Sequence, residues 1–343
     1  MKTILYLTTS FIILLNVSIL TLFAAEKETQ LTSTSINGHP VKISSICYPV
    51  GEGRTLDDIV RIVDSEAAKG ADLICLPEIC RGQSHPETLD GETITAMSGI
   101  AKNRNCYIVC PIDRKEGNQR FNSSVLIDRN GKIACVYDKV FPYWSEFEID
   151  PPIDPSMKDV QVYETDFGKV GFSICYDAKF PEVFQRLRDK GAELIVWSSA
   201  YSGYTELQAF AIQHHYYIIT STWTRDCLVY DITGKCLLDE KSDDDFHISR
   251  ITLDMDRRIY HYNFNTEKRN ILLEEHSNDI MLEEDMPREE WFVLKAKRPG
   301  ISVRNLAAKY GLEELRDYKD RSRSQINDIR GFSFSEKFGG YPR

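Results

Sequence analysis

The stretch that decides the reading is Val170-Gly-Phe-Ser-Ile174 followed by Cys175-Tyr-Asp-Ala-Lys-Phe-Pro181-Glu182. The first five residues read as a short apolar strand, and Pro181 opens a helix over 181–190, because proline suits the first helical turn. Cys175 falls at the junction. A thiol on a sharp strand-to-helix turn is presented to substrate, and neighbouring backbone N–H groups can meet a developing oxyanion. A cationic neighbour would lower its pKa from about 8.5.

The same alternation spreads outward from this turn. Residues 41–47 alternate like a strand, 55–69 carry Ile59, Val60, Ile62 and Val63 at helical spacing, and Gly70 stops the helix before an apolar strand at 72–76. A helix at 91–103, a strand at 107–110 and a hairpin of 123–128 with 133–137 about Arg129-Asn130-Gly131 follow. The second half repeats the order. It has a strand at 193–197, a helix at 205–215, and strands at 216–220, 227–231, 236–239 and 247–253. Helices between strands imply sheets covered by helices. The similar order of the halves implies two sheets packed together with helices outside, an α/β sandwich.

Two more strand ends carry reactive groups. Glu78 follows the strand in Leu76-Pro77-Glu78. A carboxylate there lies at the mouth of a sheet, where α/β proteins place their sites. Lys139 follows the hairpin in Tyr137-Asp138-Lys139-Val140-Phe141-Pro142. Taken singly, each reads as a solvated side chain.

Taken together and in order, they resemble the nitrilase, or carbon–nitrogen hydrolase, superfamily. Leu76-Pro77-Glu78 is similar to its strand-end Glu motif and Tyr137-Asp138-Lys139 to its Tyr-x-Lys motif. Cys175-Tyr-Asp-Ala-Lys-Phe-Pro-Glu182 resembles its nucleophile turn, with Lys179 in place of the usual Arg. Spacings of 61 and 36 residues suit the family. The flanks Phe121-Asn-Ser-Ser-Val-Leu-Ile-Asp-Arg-Asn-Gly131 and Gly191-Ala-Glu-Leu-Ile-Val-Trp-Ser-Ser-Ala200 agree, so the resemblance covers residues 41–256. It implies an αββα sandwich and a Cys-Glu-Lys triad: Cys175 as nucleophile, Glu78 as general base, and Lys139 with the Tyr176 N–H on the tetrahedral intermediate. A second Glu that orients substrate and Lys would be Glu146, with Glu148 next in line. The family's Lys-x-His pattern is absent, since Phe141 replaces the His. Tyr176-Asp177 after the Cys resembles the amidase and N-carbamoyl hydrolase branch rather than true nitrilases, which carry Trp-Glu there. An amide or ureido small molecule is then the expected substrate, in a pocket about Glu146, Tyr201 and the tail, and homo-oligomers are common among such sandwiches. A binding protein or an acyltransferase on the same fold is the alternative.

Composition bounds the rest. The chain has 343 residues, 42 Lys+Arg against 52 Asp+Glu, and a net charge of −10, which argues against a nucleic-acid partner. Lys2, then an uncharged and mostly apolar run, then Ala24-Ala25 read residues 1–25 as a signal peptide or membrane anchor. The protein is therefore expected to be exported, and a membrane contact is expected only if that segment stays uncleaved. Nine Cys residues show neither a disulfide framework nor zinc spacing and are expected to be mostly small buried hydrophobes. No cofactor or metal is indicated. Asn122-Ser-Ser124 is a glycosylation sequon inside an expected core strand. His214 and His215 are adjacent and cannot share a helical face.

Residues 257–343 are richly charged and are expected to add a C-terminal helical extension without a core of its own. It would be one or two helices, one of them over 302–318 capped by Ser302, plus extended tail. Ser302-Val-Arg-Asn-Leu-Ala-Ala-Lys-Tyr-Gly311-Leu also looks like the start of a helix-turn-helix. Acidity and export favour a docking helix instead.

Overall fold

The computed structural model describes residues 38–331 apart from Glu52, so the expected signal or anchor at 1–25 lies outside the described residues. Its first twelve strands form two six-stranded mixed sheets. The first contains β1 (Pro40–Cys47), β2 (Leu73–Cys75), β3 (Tyr107–Glu116), β4 (Gln119–Ile127), β5 (Ile133–Asp138) and, from the far end of the domain, a strand at His247–Asp254. The second contains β6 (Val162–Thr165), β7 (Gly168–Ile174), β8 (Leu194–Ser199), β9 (Tyr217–Thr222), β10 (Asp226–Tyr230) and β11 (Cys236–Lys241); the strand at His247–Asp254 is β12. The orders are β12-β1-β2-β3-β4-β5 and β11-β10-β9-β8-β7-β6. Three neighbouring strands in each sheet run parallel, β1-β2-β3 and β7-β8-β9.

Period-two alternation sorts the side chains. Leu73 and Cys75 of β2 and Tyr107 and Val109 of β3 face the second sheet, whereas Ile74, Ile108 and Cys110 face the outer helices. Those helices are α1 (Leu56–Ala68) and α2 (Glu92–Arg104). Thr55 starts α1 with a capping box, its hydroxyl accepting from the Asp58 amide while Asp58 accepts from the Thr55 amide. The second sheet is covered by α3 (Pro181–Asp189) and α4 (Tyr204–His214), joined by Phe184 and Phe210 stacked at 4.0 Å. Hydrogen bonds also cross the sandwich, such as Ser45 Oγ to the Thr220 carbonyl at 2.6 Å. The layers are therefore helix, sheet, sheet, helix.

The expected elements are present with two departures. β3 runs on to Glu116, past the expected end at 110, because Pro111 and the charged run 113–116 mask a strand that pairs with β4 down to Glu116–Gln119. β6 was not expected at all. Seven of the nine cysteines are buried, Cys135 is half-buried and Cys236 exposed, and none is in a disulfide. His214 is buried between Phe210 and Tyr216, and burial with Arg188 nearby pushes its pKa down to about 3.

The larger correction concerns residues 257–343. They contain a three-stranded sheet of β13 (Arg258–His261), β14 (Ile280–Met286) and β15 (Trp291–Ala296), in the order β13-β15-β14. With α5 (Thr266–Glu275), α6 (Val303–Lys309) and α7 (Leu315–Arg330) they enclose a small core of Tyr260, Leu272, Phe292, Leu294, Val303 and Ala307. The acidic run of β14 hid the strand. Its charges are matched across the sheet, Glu283 pairing with Arg257 at 2.6 Å and with Lys295 at 3.2 Å. The helix expected over 302–318 is two helices, because Gly311 turns left-handed at φ 70° between them. Ser302 does cap α6, accepting from the Asn305 amide. Among the described residues no helix is long and apolar enough to cross a membrane.

Arg257 ties this extension to the second sheet. Its buried guanidinium reaches Asp231 at 3.0 Å, the Tyr217 hydroxyl at 3.2 Å and Glu283. Removing it leaves the buried Asp231 carboxylate without its cation, with Oδ2 unpaired and only Oδ1 still held by Thr233 and the Lys235 amide. Arg257→Ala is expected to cost about 3 kcal/mol, read as a lower urea midpoint. An unchanged midpoint would show that the seam is not held by this cation.

Candidate active site

Four strand ends and one turn meet at one end of the sandwich. Glu78 follows β2, Lys139 follows β5, Cys175 follows β7 and Tyr201 follows β8. Glu146 comes from a single 3-10 turn, Trp144–Phe147, and is buried, whereas Glu148 is exposed. The first of the two expected positions is therefore the one that reaches the site.

Lys139 is the centre of the group and is 1% exposed. Its ammonium donates to Glu78 Oε1 at 2.8 Å and to Glu146 Oε2 at 2.7 Å. Burial alone disfavours its charge, but Glu78, Cys175 and Glu146 outweigh burial and raise its pKa above the ordinary lysine value. The backbone holds it as well, since the Lys139 amide donates to the Asn122 carbonyl at 2.9 Å.

Asn122, in β4, closes the cluster. Its Nδ2 donates to Glu78 Oε1 at 2.7 Å and to Glu146 Oε1 at 2.8 Å. Asn122 opens the Asn122-Ser-Ser124 sequon, and it lies fully buried in the core strand expected there. The available signal was its position in the matching flank after Phe121, a polar side chain in an otherwise core-like strand. Glu78 Oε2 is buried and has no hydrogen-bond partner among the described residues.

Cys175 sits at φ 45° at the start of a 3-10 turn, Cys175–Lys179. A left-handed conformation at a non-glycine residue stores strain of about 1–3 kcal/mol. Asp177 holds the turn in place. Its Oδ2 accepts from the Ile174 amide at 2.9 Å and the Tyr137 hydroxyl at 2.6 Å, and its Oδ1 accepts from the Phe141 amide at 2.9 Å. This anchors the cysteine turn to the segment that carries Lys139. Burial pushes the Asp177 carboxyl up to about 6 against these donors. Trp197 Nε1 donates to the Cys175 carbonyl at 3.3 Å. On the opposite wall Ile79 is also left-handed at φ 44°, and Trp223 Nε1 fixes the preceding Glu78 carbonyl at 2.6 Å.

Burial, then the Glu78 charge, push the Cys175 thiol up to about 12, against the pull of Lys139, the Ala200 amide and the Ser199 hydroxyl. The thiol is thus held in its protonated form beside the Glu78 carboxyl group. Such a pair can transfer a proton at the moment the sulfur attacks, without carrying a resting thiolate.

Tyr176 belongs to an aromatic chain at the mouth. Phe141 and Phe180 stack at 3.7 Å, Tyr176 meets Phe180 at 5.5 Å and Tyr143 at 5.1 Å, and Tyr143 meets Trp144 at 5.4 Å. The chain ends in solvent, with Trp144 57% exposed. Phe141, which stands where the family's His was expected, is thus a stacking residue. Tyr201 packs edge-on against Trp197 at 5.1 Å and its hydroxyl lies 3.5 Å from Glu206, so it forms part of the wall. Lys179 pairs with Glu206 at 2.8 Å. No group of three or more His, Cys, Asp or Glu able to hold a metal ion occurs among the described residues.

A two-sheet sandwich with this cluster at its mouth has the form of a hydrolase. The chain belongs to the carbon-nitrogen hydrolase family, whose profile matches residues 42–261. Among curated relatives it is 28% identical over 192 residues to the nitrilase and fragile histidine triad fusion protein NitFhit of Drosophila melanogaster, covering 47% of this chain but only 40% of that protein. It is 25% identical over 196 residues to omega-amidase NIT2 of Xenopus tropicalis, covering 51% of this chain and 71% of the relative. Among solved structures, an amidase from Nesterenkonia sp. superposes with a TM-score of 0.56 at 19% identity, over 70% of this chain and 99% of that one. That likeness is one of fold.

The sign of the Glu78 effect can be tested. Because its charge raises the Cys175 pKa, Glu78→Gln is expected to move the midpoint of the pH–rate curve for iodoacetamide alkylation downward. A midpoint that stays put or rises would place Glu78 out of electrostatic reach of the sulfur.

Proposed function

We propose that this protein hydrolyses a non-peptide carbon–nitrogen bond, in an amide or an N-carbamoyl compound, through a Cys175 acyl-enzyme. The observation that carries the reading is the convergence of Glu78, Lys139 and Cys175 at one end of the sandwich, with Glu78 Oε2 left free of partners among the described residues.

The chemistry follows from what each group can do. An amide is a weak electrophile with a poor leaving group, so the reaction is split into two steps. Cys175 Sγ attacks the carbonyl carbon and its proton passes to Glu78 Oε2. The carbonyl oxygen becomes an oxyanion. Lys139 has three N–H donors, of which two hold Glu78 and Glu146. The third, with the Tyr176 amide, serves the oxyanion. As the tetrahedral carbon collapses, the C–N bond breaks and Glu78 returns its proton, so ammonia or an amine leaves neutral. Water, deprotonated by Glu78, then attacks the thioester. The acid departs and the thiol is restored.

Glu146 keeps Lys139 in line from the other side. The exposed rings of Tyr143 and Trp144 offer an apolar surface to the part of the substrate beyond the amide. Export is part of the proposal, as an expectation from the apolar run at 1–25 read as a signal peptide or membrane anchor.

A panel of primary amides, ureido acids and nitriles, assayed for ammonia with the protein and with Cys175→Ala, tests this. Release is expected from amides or ureido acids, strongest with an apolar substituent, and is expected to fall about 10⁴-fold or more in the variant. Equal release from Cys175→Ala would remove the thiol from the mechanism, and inertness across the panel would favour the binding-protein alternative.

A further inference from the structure

Asn122 occupies a position that neither the triad nor the second Glu explains. Its side-chain nitrogen has two N–H groups, and each goes to a different carboxylate, Glu78 Oε1 and Glu146 Oε1. Lys139 bridges the same two carboxylates from its own side, at Glu78 Oε1 and Glu146 Oε2. The four side chains close a ring in which a cation and a neutral amide alternate with two anions. Tyr143 adds its amide to Glu146 Oε2 at 2.6 Å. All four ring members are at most 4% exposed.

The ring uses only one oxygen of Glu78. Oε1 accepts from both Lys139 and Asn122, while Oε2 is buried without a partner. Two donors on one oxygen fix the rotation of the carboxylate. They therefore fix where its other oxygen is held. Lys139 alone would leave Glu78 free to turn about a single contact.

The chemical identity of the bridge matters as much as its place. It must donate twice, at a spacing that spans two carboxylates, without adding charge. A second cation would weaken Glu78 as a proton acceptor, and a third carboxylate would repel both anions. An amide meets both requirements. The orientation of the amide is fixed by the same logic, since its oxygen cannot face two carboxylates. That oxygen, Oδ1, is itself buried without a partner among the described residues. Such an orphan costs about 1–3 kcal/mol. A side chain retained for packing alone would avoid that cost.

We propose that Asn122 is a positioning residue. It clamps Glu78 through Oε1 so that Oε2 is the oxygen that exchanges a proton with Cys175. This rests on the hydrolase reading above. Asn122 touches neither the substrate nor the sulfur in this scheme and acts only through Glu78.

The test is a double-mutant cycle in the full-length protein, with two readouts. In Asn122→Ala, kcat for the best amide of the panel is expected to fall about 10²-fold, the cost of a reacting group misplaced by about 1 Å. KM is expected to stay within about threefold. The pH midpoint for iodoacetamide alkylation of Cys175 should move down toward that of Glu78→Gln, because a carboxylate that swings away raises the thiol less. Adding Asn122→Ala to Glu78→Gln should move the midpoint no further. Asn122→Asp keeps the volume, loses both donors, and should lose turnover as well.

Wild-type kcat in Asn122→Ala, or an alkylation shift of equal size in both backgrounds, would overturn the proposal. So would loss of the folded state in both Asn122 variants, since the residue would then be structural. If the wild-type protein hydrolyses nothing in the panel, the functional reading falls. The alkylation cycle would still report whether Asn122 sets the position of Glu78.

Discussion

The rest of the site depends on one buried ammonium. Lys139 is removed from water and can stay charged only because Glu78 and Glu146 lie within 2.8 Å of it. Removing a charge from water costs several kcal/mol, and two close carboxylates would repel each other without the cation. The three groups therefore require one another. They come from the end of β2, the end of β5 and a separate 3-10 turn, so the requirement is a constraint on the whole first sheet. β4 lies beside β5, and its Asn122 supplies both the backbone carbonyl that takes the Lys139 amide and the side chain that joins the two acids. Below this layer Arg114 and Asp138 pair within 2.9 Å, and Arg120 pairs with Asp113, all four buried. Charges inside this sheet are matched in fixed pairs, which is how a largely apolar sandwich carries them.

The second sheet contributes the sulfur, and each sheet contributes one strained residue. Cys175 and Ile79 both hold left-handed backbone, one on each side of the cleft. Strain of this kind persists only where neighbours over-determine it. Asp177 with its three donors does so for the cysteine turn, and Trp197 and Trp223 clamp the carbonyls of Cys175 and Glu78. Asp177 thus links the sheets at the site, because its donors come from both the cysteine strand and the Lys139 segment. Tyr137, in the Tyr-x-Lys motif, is one of those donors. The motif's aromatic residue has a physical reason to be there.

Much of this was legible in the sequence. The strand-to-helix turn at Cys175, the strand-end Glu78 and the post-hairpin Lys139 are local features, and local features survive into the fold. Short apolar runs also marked most of the strands. What was hidden depends on partners distant in sequence. Asn122 reads as no more than a polar residue in a core strand until Glu78, 44 residues earlier, and Glu146, 24 residues later, fold against it. β14 reads as a charged tail until Arg257 and Lys295 neutralise Glu283. Likewise nothing local separates Glu146 from Glu148, and only the folded chain buries Glu146 against Lys139. Polar residues that are satisfied across the fold leave no hydrophobic period to read.

The central claim is that carbon–nitrogen cleavage passes through a covalent bond to Cys175. The most direct measurement is mass spectrometry of protein quenched in acid during turnover of an amide, followed by digestion. The account expects the peptide bearing Cys175 to carry the mass of the acyl group, and Glu78→Gln to abolish it. Steady turnover with that peptide unmodified, or an acyl group on another of the nine cysteines, would contradict it.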